Sequence, residues 1–155
     1  MSQELINKNS FYNEGNIKGF FGDYRWLSNF HECKVAFEGD EYPSSENAYQ
    51  AAKFLWADRA EFKFCSPKEA KDLGKNQKPA GWFNRNIDIM ESILYDKFCY
   101  NRELKQKLLD TGNKYLEETN WWGDKFWGVC DGVGENMLGK LLMKVRDRLN
   151  YCNRV

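Results

Sequence analysis

Residues 42–53 read YPSSENAYQAAK, and this stretch predicts the helix around which the rest of the chain is organised. Pro43 disfavours a helical conformation in the residue before it, and Ser44 is a favourable N-cap. We therefore predict a helix that begins at Ser45 and runs to about Ala57.

This helix separates its polar residues from its small and apolar ones, at about 100° per residue. The polar face holds Glu46, Tyr49, Gln50 and Lys53, and the opposite face holds Ala48, Ala51, Ala52 and Leu55. A carboxylate, a phenol, an amide and an amine on one face are suited to acid–base work and to hydrogen bonding with a small polar ligand. The same pattern also fits a solvated face with one charge pair, and the periodicity alone does not decide between the two.

The composition excludes several classes of protein. The 155 residues include 23 basic and 23 acidic ones, so no global field favours non-specific binding of nucleic acid. One local basic run either meets phosphates or is a solvated face. It comprises Lys68, Lys71, Lys75 and Lys78.

Cysteine and histidine usage argues against a metal centre. The five cysteines are scattered without a CxxC pair, and His31 is the only histidine, so we expect no zinc site, no disulfide framework and no redox cofactor. No apolar run has transmembrane length, and the first ten residues lack the core of a signal peptide. We therefore expect a cytoplasmic protein that makes no membrane contact.

The remaining patterns predict an α+β fold, a helix-dominated single domain with a small antiparallel sheet. The alternation at Lys34–Phe37, followed by Gly39, predicts a hairpin. A capping box at Ser66 predicts a second helix that ends at Gly74 as its C′ residue. Further helices are predicted from about Arg85 to Tyr100, from Asn101 to Gly112, and from Asn136 to Asn150. The first of these has a predicted buried stripe of Ile87, Met90, Leu94 and Phe98, and the last one of Leu138, Leu141, Leu142, Val145 and Leu149.

The segments between these elements are predicted to be loops. Residues 1–19 form an N-terminal arm with a short strand, as part of the same domain as residues 20–155. Residues 24–30 form a loop, residues 115–119 a strand, and residues 120–135 a long ordered loop rich in Trp, Gly and Asp. Loops of that length inside a compact domain are usually functional.

Taken together, these landmarks resemble the YbiA/NADAR-like family of N-glycosidases. The matching pieces are Leu27-Ser28-Asn29-Phe30, Tyr42-Pro43-Ser44-Ser45-Glu46, Tyr49-Gln50-Ala51-Ala52-Lys53-Phe54, Ser66-Pro67, Trp82, Lys97-Phe98, Leu116-Glu117-Glu118, Asp124, Trp127-Gly128 and Asn136-Met137-Leu138-Gly139. They extend from about Phe20 to Leu149, so the resemblance covers nearly the whole chain and implies a YbiA-like fold.

The resemblance implies a hydrolase of N-glycosidic bonds. It points to an ADP-ribosylated guanine base, in DNA, RNA or a nucleotide, and alternatively to the phosphoribosylamino-pyrimidine intermediates of riboflavin synthesis. A third alternative is a module that binds ADP-ribose without turnover. In none of these does the resemblance imply a cofactor.

The resemblance also implies roles for individual residues. Glu46, near the positive end of its helix, is expected to stabilise an oxocarbenium-like transition state or to activate water, facing a cleft lined by later loops. Lys53 and Asp124 are the other catalytic candidates, although each alternatively has only a surface or turn role. The expected substrate-binding residues are Ser28, Asn29, Phe30, Tyr49, Gln50, Trp82, Trp127, Gly128 and Asn136.

For three of these residues a structural role remains open at this stage. Trp82 and Trp127 either stack on a base or belong to the core. Asn136 either binds the ligand or caps the last helix. Three departures from the family pattern bear on substrate choice. Asn47 stands where the family commonly has His, Asn86 stands where it often has a basic residue, and the glycine-rich loop after Trp127 is shorter than in some members.

Overall fold

A computed structural model describes residues 15–154, whose contacts divide into two compact units. One unit spans residues 29–105, and the other combines residues 15–28 with residues 106–154. The elements in chain order are β1 (Asn16–Lys18), β2 (Glu32–Phe37), β3 (Asp40–Ser44), α1 (Ser45–Ala51), α2 (Pro67–Gly74), α3 (Trp82–Tyr100), α4 (Arg102–Asp110), β4 (Tyr115–Glu117), β5 (Thr119–Asn120), β6 (Val129–Cys130) and α5 (Met137–Arg154). The helix-dominated α+β class is confirmed. Within the described residues, no helix is both long and apolar enough to cross a bilayer.

The hairpin of β2 and β3 delivers the chain to the start of α1. The two strands pair antiparallel, and Glu38 and Gly39 at its turn both have positive φ, 47° and 85°. Two consecutive left-handed residues are the signature of the turn that best matches the twist of a hairpin. Because β3 ends at Ser44 and α1 begins at the next residue, the hairpin fixes where the helix begins. The predicted hairpin is therefore confirmed.

Helix α1 begins where the sequence predicts and ends earlier. The Ser44 hydroxyl accepts a hydrogen bond from the backbone of Asn47 at 3.0 Å, as an N-cap does. The predicted end near Ala57 is wrong, because the helix ends at Ala51. The backbone N–H groups of Lys53 and Phe54 bond carbonyls three residues back, and the ring centre of Phe54 lies 5.1 Å from that of Phe62. Tertiary packing of that ring draws the chain away from the helical path.

Every residue of α1 is buried, so the helix has no solvated face. The small residues pack as predicted, except that Leu55 lies beyond the helix and is exposed. The polar residues are equally enclosed. The interpretation of the polar face as a solvated one is therefore wrong.

Helix α2 begins with the predicted capping box, in which Ser66 and Glu69 exchange hydrogen bonds. It ends at Gly74 as expected, but not for the expected reason. Gly74 lies inside the helix and is absent from the positive-φ positions, and the C-cap is Lys75 in a right-handed conformation. The glycine is required by a close approach of Gln50.

Helix α3 begins at Trp82, three residues before the predicted start, with Gly81 as a left-handed N-cap. Its predicted apolar stripe is largely confirmed, since Met90, Leu94 and Phe98 are buried. Lys97 lies beside them and is also completely buried.

The other unit holds two short parallel strand pairs, β1 with β4 and β5 with β6. Strand β4 confirms the strand predicted at residues 115–119, whereas the sequence indicated neither the parallel pairings nor β6, which lies in the segment predicted as a loop. Strand β1 confirms the strand predicted in the N-terminal arm, whose residues 1–14 lie outside the described part. Residues 22–27 form a 3-10 helix instead of the predicted loop, anchored by the buried side chains of Trp26 and Leu27. Helix α5 buries its predicted stripe and continues past Asn150 to Arg154.

Candidate active site

Glu46 lies in the first turn of α1 and is only 8% exposed. Its backbone N–H donates to the carbonyl of Asn29 at 3.0 Å, which ties the start of the helix to the preceding segment. Its Oε1 accepts a hydrogen bond from Gln50 Nε2 at 2.8 Å. An amide one turn along the same helix therefore orients the carboxylate.

The side chain of Gln50 lies directly against Gly74 of α2. A Cβ built on Gly74 would collide with Gln50 Oε1 and would lie 3.0 Å from both Cβ and Cδ of that side chain. Gln50 Oε1 is buried and has no hydrogen-bond partner among the described residues. The absence of a side chain at Gly74 thus makes room for the amide that positions Glu46.

Lys53 lies just beyond the end of α1 and is 9% exposed, so it is not a solvated lysine. Its Nζ donates to the carbonyl of Gly74 at 3.1 Å and lies 5.5 Å from the ring centre of Tyr49 and 5.8 Å from that of Trp82. Burial lowers the pKa of Lys53, the charge of Glu46 acts to raise it, and the charge of Lys78 acts to lower it. A carboxylate and an ammonium within electrostatic reach thus share a desolvated environment.

Tyr49 and Trp82 form the aromatic wall behind this ammonium. Their ring centres are 5.3 Å apart and tilted by 55°, and both residues are buried. Of the two roles left open for Trp82, its burial favours packing in the core of its unit. Its aromatic face then acts on the Lys53 charge through a cation–π contact.

The residues preceding the hairpin contribute differently from one another. Asn29 donates from Nδ2 to Met90 Sδ at 3.6 Å, and its Oδ1 is buried without a partner among residues 15–154. The ring of Phe30 lies 5.7 Å from Lys71 Nζ. Ser28 belongs to the other unit, where its backbone closes the 3-10 helix by donating to Arg25.

Asn47, a departure from the family pattern, has a structural role. Its side chain is completely buried, and Nδ2 donates to the carbonyls of Phe62 and Cys65, both at 2.9 Å. These bonds attach α1 to the segment that leads into α2. The second departure, Asn86, is buried with its Oδ1 unpartnered among the described residues.

Lys97 is a candidate functional residue that sequence reasoning missed. It is completely buried, and its Nζ lies 5.0 Å from the ring centre of Phe98. Burial lowers the pKa of Lys97 to about 8, against a smaller effect of Cys33 in the opposite direction. A strongly desolvated lysine is a common feature of reactive sites. The sequence did carry one indication that Lys97 is buried: it lies seven residues, or about two helical turns, after Met90 and so on the apolar face of α3.

Asp124 lies in the other unit and organises the predicted functional loop. Its Oδ1 accepts from the backbone N–H groups of Phe126 and Trp127 at 3.1 and 2.9 Å. Its own backbone is clamped by Asn120, whose side chain bonds both the N–H and the carbonyl of Asp124. These contacts are those of a turn residue, and its catalytic role stays a prediction.

Three further predicted residues follow in the same loop. Trp127 is half-buried, with the ring of Phe126 edge-on at 4.9 Å. Gly128 is enclosed so closely by the backbone of Glu118 that no Cβ fits. The side chain of Asn136 bonds outside its helix, accepting from the N–H of Glu118 and donating to the carbonyl of Leu116. It therefore joins the strands to α5, and the alternative of a side-chain cap is not what the structure shows.

The loop also carries exposed aromatic surface. Trp121 is 73% exposed, and its ring centre is 5.1 Å from those of both Phe21 and Trp122. The six tryptophans of the chain are therefore not all core residues.

The predicted residues therefore fall into two sets, one in each unit. In residues 29–105, Glu46, Gln50, Lys53, Tyr49 and Trp82 form one connected set. In the other unit, Asp124, Trp127 and Asn136 stabilise a loop. No group of three or more candidate metal ligands occurs in residues 15–154. The first set can stabilise a developing cation and transfer protons, because it combines an oriented carboxylate with a desolvated amine.

The helix-dominated α+β fold and the carboxylate–amine site together define the class of protein to which this chain is compared. Residues 10–150 match the family described as the NADAR domain. The chain belongs to this family.

The relatives include N-glycosidases of similar length. The chain is 35% identical over 134 residues to N-glycosidase YbiA of Escherichia coli, covering 82% of each protein. It is 35% identical to an N-glycosidase of Acanthamoeba polyphaga mimivirus, covering 77% of this chain and 81% of the viral protein. The solved structure of E. coli YbiA is similar to 89% of this chain, with a TM-score of 0.78 at 33% identity, and the match covers 85% of the YbiA chain.

Another relative is much longer. The chain is 34% identical to a riboflavin biosynthesis protein of Vibrio vulnificus over 82% of its own length. It spans only 36% of that protein.

Proposed function

We propose that this N-glycosidase of the NADAR family hydrolyses the N-glycosidic bond of an ADP-ribosylated guanine base, in nucleic acid or as a nucleotide. The observation that carries the proposal is the buried carboxylate of Glu46, oriented by Gln50 and within electrostatic reach of Lys53. The YbiA and viral relatives, which are named N-glycosidases, support the reaction type.

The chemistry follows from the charge that the reaction develops. As the bond from the anomeric carbon to nitrogen breaks, its electron pair leaves with the base and the sugar becomes an oxocarbenium-like cation. Glu46 stabilises that cation or takes a proton from the attacking water, whose oxygen then bonds to the anomeric carbon. The proton that the leaving base requires is supplied by a neighbouring acid.

Lys53 is suited to two parts of this reaction. As an ammonium it binds a substrate phosphate or donates a proton to the leaving base, and its lowered pKa makes the donation easier. Lys97 is a second candidate amine, because a pKa of about 8 leaves a larger neutral fraction than an ordinary lysine has.

In the other unit we propose that the Asp124 loop contributes to substrate recognition. Trp127 is half-buried, so part of its ring is available to stack on a base. The carboxylate of Asp124 would then either accept hydrogen bonds from the ribose hydroxyls or only stabilise the turn of the loop that carries Trp127. The Asp124→Asn variant distinguishes these two roles, because a loss of kcat at unchanged stability requires more than a turn residue.

The substitution Glu46→Gln tests the proposal with minimal disturbance of shape. Wild-type protein should release ADP-ribose from an ADP-ribosylated guanine oligonucleotide, and the variant should lose at least about 100-fold in kcat. Glu41→Gln is the matched control, because Glu41 is exposed and its ion pair is with the exposed Lys34. Full activity of the Glu46 variant would refute its assignment. Tight binding of ADP-ribose without any product would instead identify a non-catalytic module.

A second candidate substrate is a phosphoribosylamino-pyrimidine intermediate of riboflavin synthesis. The relatives in Vibrio vulnificus and Zea mays that are named riboflavin biosynthesis proteins favour it. The same reaction centre serves both substrates, because both contain an N-glycosidic bond to a phosphorylated sugar. We expect the protein to be cytoplasmic, so the assay uses the pH and salt of the cytoplasm. Parallel incubation with each substrate shows, from the product formed, which of the two the protein hydrolyses.

A further inference from the structure

Four exposed lysines of residues 29–105 form a feature that the reaction centre does not use, the lysine strip. The strip consists of Lys68, Lys71 and Lys75 on or next to α2 and Lys78 after it. None of the four pairs with a carboxylate of the described residues, whereas the exposed Lys34 pairs with Glu41. A protein with no net charge thus has four exposed cations within eleven residues, none of them in an ion pair with a described carboxylate.

Helix α2 separates its charges around its axis. At about 100° per residue, Lys68, Lys71 and Lys75 fall within an arc of about 60°. The acidic residues Glu69 and Asp72 fall on the neighbouring arc, on the side away from Lys71. The lysines therefore present one continuous positive edge.

Aromatic rings accompany the strip. Lys71 Nζ lies 5.7 Å from the ring centre of Phe30, and Lys78 Nζ lies 5.9 Å from that of Phe83. Phe83 is 68% exposed, so its ring remains accessible next to the charge. Phe30 is partly buried. Cations next to accessible rings are typical of surfaces that bind single-stranded nucleic acids, with the backbone on the cations and the bases on the rings.

The strip adjoins the proposed reaction centre. Lys78 is close enough to Lys53 to lower its pKa, and Phe30 follows Asn29, whose carbonyl receives the N–H of Glu46. From Lys68 to Lys75 the helix rises about 10 Å, which matches about three nucleotides of a stacked strand at about 3.4 Å each.

We propose that the lysine strip binds the phosphodiester backbone of single-stranded nucleic acid next to the modified base, so that the substrate is a polynucleotide rather than a free nucleotide. This inference rests on the proposed function. A mononucleotide intermediate carries too few phosphates to engage four separated lysines.

Binding of an unmodified, fluorescently labelled single-stranded oligonucleotide tests the strip without any reaction. Each lysine–phosphate contact contributes about 0.7 to the slope of log affinity against log salt for a single strand. Four contacts predict an affinity loss of about 50-fold between 50 and 200 mM salt, and the double variant Lys71→Ala/Lys75→Ala should lose only about 7-fold. The control is Lys140→Ala/Lys144→Ala on α5, which removes two exposed lysines at the same spacing.

The outcomes separate this inference from the proposed function. If the wild type does not bind the oligonucleotide, if the α2 variant behaves like the α5 variant, or if only anionic lipid vesicles bind, the strip is not a nucleic-acid surface. Turnover of a modified mononucleotide by a protein with no affinity for the oligonucleotide would refute the strip and leave the glycosidase activity standing. If the oligonucleotide binds through the strip but no substrate yields a product, the proposed glycosidase activity is refuted and the strip stands as a nucleic-acid surface.

Discussion

Replacement of Gly74 by alanine should disturb the reaction centre from a position that bears no functional group. The new Cβ collides with Gln50 Oε1 and lies 3.0 Å from two carbons of the same side chain. Gln50 is buried, so it has little room to turn away, and its Nε2 is the donor that orients Glu46. We therefore expect a loss of stability together with a loss of activity.

The size of the effect follows from these two contacts. Inserting a methyl group into a close-packed site costs about 1–3 kcal/mol. A displaced Gln50 also loses a hydrogen bond to a charged group, a contact of about 1.5–3 kcal/mol. Together these costs amount to about 2.5–6 kcal/mol. For a chain of this length, about 1 kcal/mol shifts Tm by about 2–4 °C, so Gly74→Ala should lower Tm by about 5–24 °C.

Thermal unfolding and steady-state kinetics measure the two effects on the same samples. Gly15→Ala is the control, because a Cβ there meets no atom within 4 Å and its φ is ordinary. The double variant Gly74→Ala/Gln50→Ala removes the collision and should recover part of the stability but not the activity. A Gly74→Ala protein with the Tm and kcat of the wild type would refute the reasoning.

Three further substitutions have distinct signatures. Because burial lowers the pKa of Lys97 from 10.5 to about 8, the folded protein binds fewer protons than the unfolded chain between those values, and stability rises with pH across that window. Lys97→Met should abolish this rise and gain about 3 kcal/mol at pH 7 in urea unfolding, and an unchanged pH dependence would contradict the burial argument. Asn47→Asp loses the donor to the carbonyls of Phe62 and Cys65 and should cost at least about 3 kcal/mol in the same assay; a variant as stable as the wild type would contradict the structural role. Asn136→Ala breaks the bonds to Leu116 in β4 and to Glu118 just after it, and should cost about 2–4 kcal/mol, whereas a cost below about 0.5 kcal/mol would indicate a role in ligand binding alone.

The elements that the sequence predicted correctly are those specified by local rules. The hairpin has a glycine turn between alternating strands, and α2 begins with a capping box whose two hydrogen bonds are both present. The stripe of α5 follows from helical periodicity over about four turns. In each case residues within a few positions of one another determine the backbone, so no distant contact has to be known.

The errors occur where distant contacts override local preference. Helix α1 ends at Ala51 because Phe54 packs on Phe62, although the sequence between Ala51 and Ala57 has no helix breaker. Strands β1 and β4 pair although they lie about 100 residues apart in the sequence. Strands this short carry no pattern that indicates which segment they pair with. For Asn136 the sequence left ligand binding and a helix cap open, because only the fold brings the strands to its side chain.

For the helix at residues 42–53, the sequence by itself determined where the helix begins and which polar groups it carries, because capping and side-chain identity are local properties. It also determined, through the order of many short motifs, the family to which the chain belongs. Only the tertiary structure decided that the polar face is buried, that Gln50 orients Glu46, and that Gly74 is a glycine to accommodate that amide. The physical reason is that burial and desolvation depend on what packs against a helix, and those partners come from α2 and α3, well separated in sequence.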